Sequence, residues 1–291
     1  MAGIILRSVK RAAARRDIVP RPFLKWAGGK GQLLPELMAR VRSAGHFRQY
    51  HEPFVGGGAL FFELYRANHL GTAPPFLSHS NENLIDAYMG VKEDVDRIIC
   101  LLIQHKASHS QEYYYQVRAT APTDPVERAA RIIYLNRTCY NGLYRENRKG
   151  KFNVPFGRYT NPAICDEENL RAVAEALCKA TIETRPFDSV LDRAEPGDFV
   201  YFDPPYHPLS KTASFTSYDK NGFDKDAQHR LAAVFRQLSE HSVKVLLSNS
   251  MTPFVKDLYR GFRIEKVWAT RAVNSRGDRR GKVCEALVRN F

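Results

Sequence analysis

His51-Glu52-Pro53-Phe54-Val55-Gly56-Gly57-Gly58-Ala59-Leu60-Phe61-Phe62-Glu63-Leu64 passes from an extended apolar stretch through three glycines into an apolar helical pattern. It reads as strand, glycine turn and helix. Upstream, Phe23 to Lys30 opens the ordered part and a helix is expected from Gln32 to Val41. Downstream, Pro74-Pro75-Phe76-Leu77-Ser78 reads as a short strand, and helices are expected from Leu84 to Lys106 and from Val126 to Asn136. Later strands are expected at 181–184, 199–203 and 243–248, with helices at 167–179 and 224–240. This alternation predicts an open α/β sheet with its active groups at the carboxyl ends of the strands. The glycines do not follow G-x-G-x-x-G, and a tight strand–helix connection without a ligand is the plain alternative. A second bare stretch, Gly28-Gly29 between Trp26 and Lys30, favours one extended ligand approaching the backbone at both places. Lys30 would then pair with a carboxylate, and Trp26 or Phe54 would pack on an apolar or aromatic part.

Phe199-Val200-Tyr201-Phe202 ends in Asp203-Pro204-Pro205-Tyr206. Asp-Pro and Pro-Pro punctuate many ordinary turns. These four residues also suit alkylation of an amine on a flat heterocycle, whose lone pair is delocalised until both N–H bonds are held. Asp203 offers one acceptor and the Pro204 carbonyl a second. Both prolines hold φ near −65°, and the Tyr206 ring can cover the base.

A chain of 291 residues suffices for one large domain or a domain with an insertion. With 44% hydrophobic and 26% charged residues it reads as soluble and globular. No apolar run approaches the roughly 20 residues that cross a bilayer. The formal charge is +13. Residues 1–30 carry eight basic and one acidic side chain, 136–158 six and one, and 271–282 five and one, so the excess lies in three segments. Confined positive charge is the footprint of a polyanion, with nucleic acid the leading partner. The five cysteines show no C-x-x-C pair, which suggests neither a zinc site nor a disulfide framework. Met1 to Arg16 reads as a basic arm, with a transit peptide as the alternative.

These motifs together resemble those of the Dam-type DNA adenine methyltransferases, over nearly the whole chain from Arg21 to Phe291. Lys25-Trp26-Ala27-Gly28-Gly29-Lys30 looks like the family's first cofactor motif. Glu52-Pro53-Phe54-Val55-Gly56-Gly57-Gly58 looks like its glycine loop, and Asp203-Pro204-Pro205-Tyr206 like its catalytic motif. The resemblance implies a Rossmann-like S-adenosylmethionine-dependent methyltransferase sheet with a helical target-recognition insert. The expected division is a basic arm over 1–22, a catalytic and cofactor-binding part over 23–81 and 166–291, and a DNA-recognition part over 82–165. It implies cofactor contacts from Trp26, Gly28, Lys30, Pro53, Phe54, Gly56, Gly58, His79 and Asp203, with catalysis at Asp203, Pro204, Pro205 and Tyr206 and no metal. Double-stranded DNA is the expected partner, read at GATC by a cytoplasmic monomer without an obligate protein partner.

The basic stretch 137–162 resembles the family's recognition segment. There the resemblance implies Arg145 as a guanine reader, Leu143 and Pro155 against a thymine methyl, and Tyr140 with Asn141 entering the space of an extruded adenine. Lys25 adds a base contact, and Asn136, Arg137, Asn153 and Arg158 complete the DNA face. Arginine–guanine pairing and apolar contact with thymine agree with this, although without the resemblance the loop reads as a phosphate-binding or merely solvated surface. Pro208-Leu209-Ser210, Phe215-Thr216-Ser217-Tyr218 and Phe223 resemble the segment around the flipped base; Ser248-Asn249, Tyr259 and Arg271 to Arg280 before Glu285 resemble later elements.

One position departs from the pattern. Where the family has an acidic residue two positions before an asparagine, this chain reads His79-Ser80-Asn81. His79 is expected at or beside the cofactor ribose as a neutral acceptor, with weakened binding and a pH response near 6.5, and Asn81 or Glu82 is the alternative for that contact. Two rivals stand beside this reading: a methyltransferase of RNA or protein glutamine, and a DNA-binding relative without catalysis.

Overall fold

The computed structural model describes residues 18–147, 149–208, 223–270 and 282–291. Most of the expected arm, Leu209 and Ser210, Phe215 to Tyr218 and the Arg271–Arg280 segment lie outside these residues. Seven strands form one sheet: β1 (Tyr50–Glu52), β2 (Phe76–His79), β3 (Thr181–Thr184), β4 (Phe199–Phe202), β5 (Lys244–Ser250), β6 (Arg263–Thr270) and β7 (Lys282–Arg289). Their order is β3-β2-β1-β4-β5-β7-β6. The first five are parallel, and β7 enters antiparallel between β5 and β6. This is the mixed Rossmann-like sheet expected. The chain winds outward in opposite directions from β1 and β4, so a crevice opens at their carboxyl ends.

The burial of β4 and β5 on both faces explains their continuous apolar sequences. Phe199, Tyr201 and Leu246 join one core, while Val200, Phe202, Val245 and Leu247 join the other. β1 stops at Glu52, short of the expected Val55, where Pro53 brings no N–H to a ladder. At the opposite end of β1 and β4, buried Asp198 accepts from His51 Nε2 at 3.0 Å and from Arg48 Nε and Nη2 at 2.9 Å each. That clip sets the register of the two strands carrying the site.

Nine helices surround the sheet among the described residues: α1 (Leu34–Ala44), α2 (Ala59–Arg66), α3 (Glu82–Glu93), α4 (Val95–Ala107), α5 (Gln111–Ala119), α6 (Pro125–Thr138), α7 (Glu167–Leu177), α8 (Lys225–Glu240) and α9 (Pro253–Leu258). None is long and apolar enough to cross a membrane. The single helix expected from Leu84 to Lys106 is two. Asp94 leaves helical geometry (φ −145°, ψ 65°) and its carboxylate caps the Arg97 N–H at 3.1 Å. Helix α5 was not legible because it buries only Tyr114 and Val117, too short a stripe to show a period. The helices of 82–165 share their core with the sheet: Ile98, Ile133 and Tyr134 belong to the cluster that holds Leu77 and Phe199.

Helices α3 and α6 meet at Gly90, where an added Cβ would lie 2.4 Å from the Ala129 Cβ. Alanine is favoured over glycine in a helix by about 1 kcal/mol, but overpacking costs about 1–3 kcal/mol. Gly90→Ala is therefore expected to lower stability by up to about 2 kcal/mol, read as a lower urea midpoint. An unchanged or higher midpoint would show that the two helices separate freely.

Candidate active site

The glycine turn follows β1 at the switch point. Gly56 (φ +47°) and Gly58 (φ +68°) take left-handed conformations. A Cβ on Gly56 would lie 3.0 Å from Trp26 Cδ1, and one on Gly58 would lie 2.7 Å from the Tyr88 hydroxyl. Tyr88 donates to the Gly56 carbonyl at 3.0 Å, fixing the turn from α3. The left-handed glycines thus let Trp26 and Tyr88 pack directly against the turn, at the carboxyl end of β1 where nucleotide-binding sheets hold their ligand.

Across the crevice, Asp203 leaves the end of β4 with its side chain 18% exposed. Its Oδ1 meets Lys30 Nζ at 2.7 Å and accepts from Ser248 Oγ at 2.9 Å. Lys30 is buried; it also donates to the Gly28 carbonyl at 2.6 Å and lies 4.7 Å from the centre of the Tyr206 ring. The carboxylate that Lys30 meets is therefore the protein's own, whereas the sequence suggested one on the ligand. Burial holds the Asp203 carboxyl above the ordinary carboxylate range, against the opposing pull of Lys30 and the Ser248 hydrogen bond.

The turn beyond is pinned at four places. Tyr206 donates to Glu285 Oε2 at 2.8 Å, and Gln228 donates to the Pro205 carbonyl at 2.9 Å. The His207 N–H reaches Asn249 Oδ1 at 3.0 Å, and Ser250 Oγ donates to the His207 carbonyl at 2.6 Å. Sequence reasoning missed Gln228, named Glu285 only as the end of a later element, and gave Ser248-Asn249 no catalytic part. They come from α8, β5 and β7, and no local pattern marks them. Glu52 was likewise quoted only as part of its motif. It lies buried, accepts from Tyr50 at 2.9 Å, and is pushed up to about 8, first by burial and further by the Asp203 charge. Glu52 is thereby biased toward its neutral form, and the carboxyl that Lys30 meets is that of Asp203.

Of the other expected cofactor residues, Trp26 packs beside the glycine turn, edge-on to His79 at 5.8 Å and tilted against Tyr144 at 5.1 Å. Pro53 is buried. Phe54 is stacked on Phe187 at 5.4 Å and edge-on to Phe202 and Phe223, so much of its ring is already covered by protein. His79 ends β2 with its Nδ1 accepting from the Asn81 N–H at 2.9 Å. Burial lowers its pKa to about 4, so the ring is neutral throughout the range from pH 6 to 8. Burial thus works against the pH response expected near 6.5, and Nδ1, the one acceptor of a neutral ring, already has a partner.

Tyr140, Leu143, Arg145 and Pro155, with Val154, line one hollow of about 280 Å³. Tyr140 is 50% exposed, and Asn141 beside it is left-handed (φ 55°). Arg145 is exposed, its Nε donating to Asn153 Oδ1 at 2.7 Å, and Arg158 is exposed as well. Lys25 lays its stem on Gly142 and its Nζ 4.2 Å above the Tyr159 ring. Two residues stand apart. Asn136 is buried, with its amide bonded to the Lys25 N–H and carbonyl (2.8 and 2.7 Å) and to the Gly142 carbonyl (3.2 Å). Its side chain holds Lys25 in place. Half-buried Arg137 lines a small cavity with Phe23, Ile133 and Ile164, away from the hollow.

Residues 26–273 match the model of the D12 class of N6 adenine-specific DNA methyltransferases. The chain is 42% identical over 279 residues to Type II methyltransferase M1.LlaDCHI of Lactococcus lactis subsp. cremoris, covering 93% of this chain and 95% of the relative. It is 44% identical over 288 residues to Type II methyltransferase M.MjaIII of Methanocaldococcus jannaschii, covering 93% and 99%. It is 36% identical over 272 residues to the DNA adenine methylase of Escherichia coli K12, covering 92% and 94%. Among solved structures, an rRNA methyltransferase from Streptomyces viridochromogenes aligns over 96% of this chain and 94% of that one, with 13% identity and a TM-score of 0.43.

Removing the Lys30 ammonium takes away the main charge favouring ionised Asp203. Lys30→Met should therefore raise the Asp203 pKa further, shift the acid limb of the methylation pH–rate profile upward and slow turnover at pH 7 by roughly tenfold or more. A profile superimposable on wild type would show that the charge of Asp203 is set elsewhere.

Proposed function

The chain belongs to the D12 class of N6 adenine-specific DNA methyltransferases and depends on S-adenosylmethionine, and from that premise we propose that it methylates the adenine of GATC in duplex DNA after flipping the base out of the helix. The observation that carries the sequence assignment is the hollow shared by Tyr140, Leu143, Arg145 and Pro155. An arginine fork with apolar walls suits a guanine beside a thymine methyl. Exposed Tyr140, with Asn141 beside it, suits the gap left by an extruded base, whose unstacking costs a few kcal/mol.

The segment 82–165 acts as the target-recognition unit on the catalytic and cofactor-binding part formed by 23–81 and 166–291. Trp26, Pro53 and the bare backbone of Gly28, Gly56 and Gly58 hold the cofactor, with His79 at its ribose. When bound, S-adenosylmethionine supplies an electrophilic methyl group on sulfur. Asp203 and the Pro204 carbonyl accept the two N–H bonds of the adenine amino group, which frees the nitrogen lone pair from the ring. Lys30 and Ser248 hold the carboxylate in place and favour its ionised form. Tyr206, tethered through its hydroxyl to Glu285, offers its ring to the base. Lys25 and Arg158 add positive charge toward the phosphates. A bacterial or phage-encoded enzyme of this kind works in the cytoplasm, where its DNA lies, as a monomer without an obligate partner.

Asp203→Ala should slow single-turnover methylation by at least about 100-fold while DNA affinity stays close to wild type, because the carboxylate acts mainly in the transition state. Rates within tenfold of wild type would place activation of the amine elsewhere. Arg145→Ala should lose about 1–3 kcal/mol of discrimination at one guanine. Sequencing methylated sites from a random-sequence library measures this, and a wild-type motif other than GATC would end the specificity assignment.

A further inference from the structure

We infer that His79 binds the cofactor ribose as a hydrogen-bond donor through Nε2–H, the reverse of the carboxylate acceptor that nucleotide-binding α/β sheets ordinarily present there. The inference rests on the crevice being the S-adenosylmethionine site, as proposed above, and adds the polarity of one contact. In such sheets the side chain about 20 residues beyond the glycine turn, at the end of the second strand, meets the ribose hydroxyls. His79 holds that place: it ends β2, the parallel neighbour of β1, and Val55 beside the turn donates to the Ser78 carbonyl at 3.1 Å.

A backbone N–H can only donate. The 2.9 Å contact from the Asn81 N–H therefore puts the lone pair on Nδ1, and a neutral imidazole must carry its proton on Nε2. The burial that lowers the ring's basicity keeps it neutral. Orientation is fixed from two more sides. Trp26 packs edge-on at 5.8 Å, and the Asn81 side chain is held by capping α3 through the Leu84 N–H at 2.9 Å. The Asn81 side-chain oxygen is thus committed to that cap. Among the described residues Nε2 has no hydrogen-bond partner, and it is not one of the sealed, unpaired polar atoms. It can donate to a ribose hydroxyl oxygen, which accepts as readily as it donates.

The test uses the full chain and S-adenosylhomocysteine as probe. In a ¹⁵N-histidine spectrum, signals lost in His79→Gln belong to His79. They should report the Nε2–H tautomer, with the Nε2 proton moving downfield when the probe is added. By calorimetry, His79→Leu should bind the probe roughly 3- to 10-fold more weakly, the worth of one hydrogen bond. His79→Gln, which keeps a donor, should recover most of that loss. Of the 2′-deoxy and 3′-deoxy probes, one should bind wild type more weakly by a similar factor and lose that penalty in His79→Leu. An Nδ1–H tautomer, or a deoxy penalty that survives in His79→Leu, overturns the inference. Failure of the wider reading looks different: wild type would not bind the probe, or Gly56→Val, which displaces Trp26 from the turn, would bind it unchanged.

Discussion

The contact between Lys30 and Asp203 is the constraint on which the site depends. It joins a loop before the first helix to the end of the fourth strand, and it does so across the point where the sheet reverses its winding. An ammonium and a carboxylate removed from water are costly unless they meet, so each holds the other in the crevice. Ser248 supports the same oxygen from β5, and the Gly28 carbonyl takes a further donor position of the lysine. The backbone that closes around this pair therefore cannot shift without exposing one partner unpaired.

The bias of Glu52 toward its neutral form keeps that arrangement simple. A second ionised carboxylate beneath Asp203 would compete for Lys30 and raise the charge density of a buried layer. Its burial and the neighbouring charge favour the protonated form instead. Tyr50–Glu52 and Tyr201–Ser248–Asp203 thus form two short buried polar chains across β1, β4 and β5.

Trp26 ties the glycine turn to the recognition side. It touches the glycine turn, His79 and Tyr144, and Tyr144 is bonded to Glu146 and Asn83 around exposed Arg145. Next to it, Asn136 locks the Lys25 backbone to the turn at Gly142. Two residues expected together on the DNA face, Asn136 and Lys25, are thus bonded to each other.

The sequence by itself determined the alternating α/β plan, the glycine turn and the aspartate-proline turn, because strand period, missing side chains and fixed proline geometry are local properties. It also showed the confinement of positive charge, which is a matter of counting. Family resemblance named the expected DNA-face residues, and the shared hollow of Tyr140, Leu143, Arg145 and Pro155 is where the fold gathers four of them. Only the tertiary structure decided which carboxylate Lys30 meets, which nitrogen of His79 is free, and which polar groups of α8, β5 and β7 brace the turn. Those are contacts between segments far apart in the chain, and neither pattern nor propensity encodes a partner at that distance. The break at Asp94 and the short helix α5 escaped for the opposite reason: their signals are local, but a single cap and two buried residues are too few to show a period.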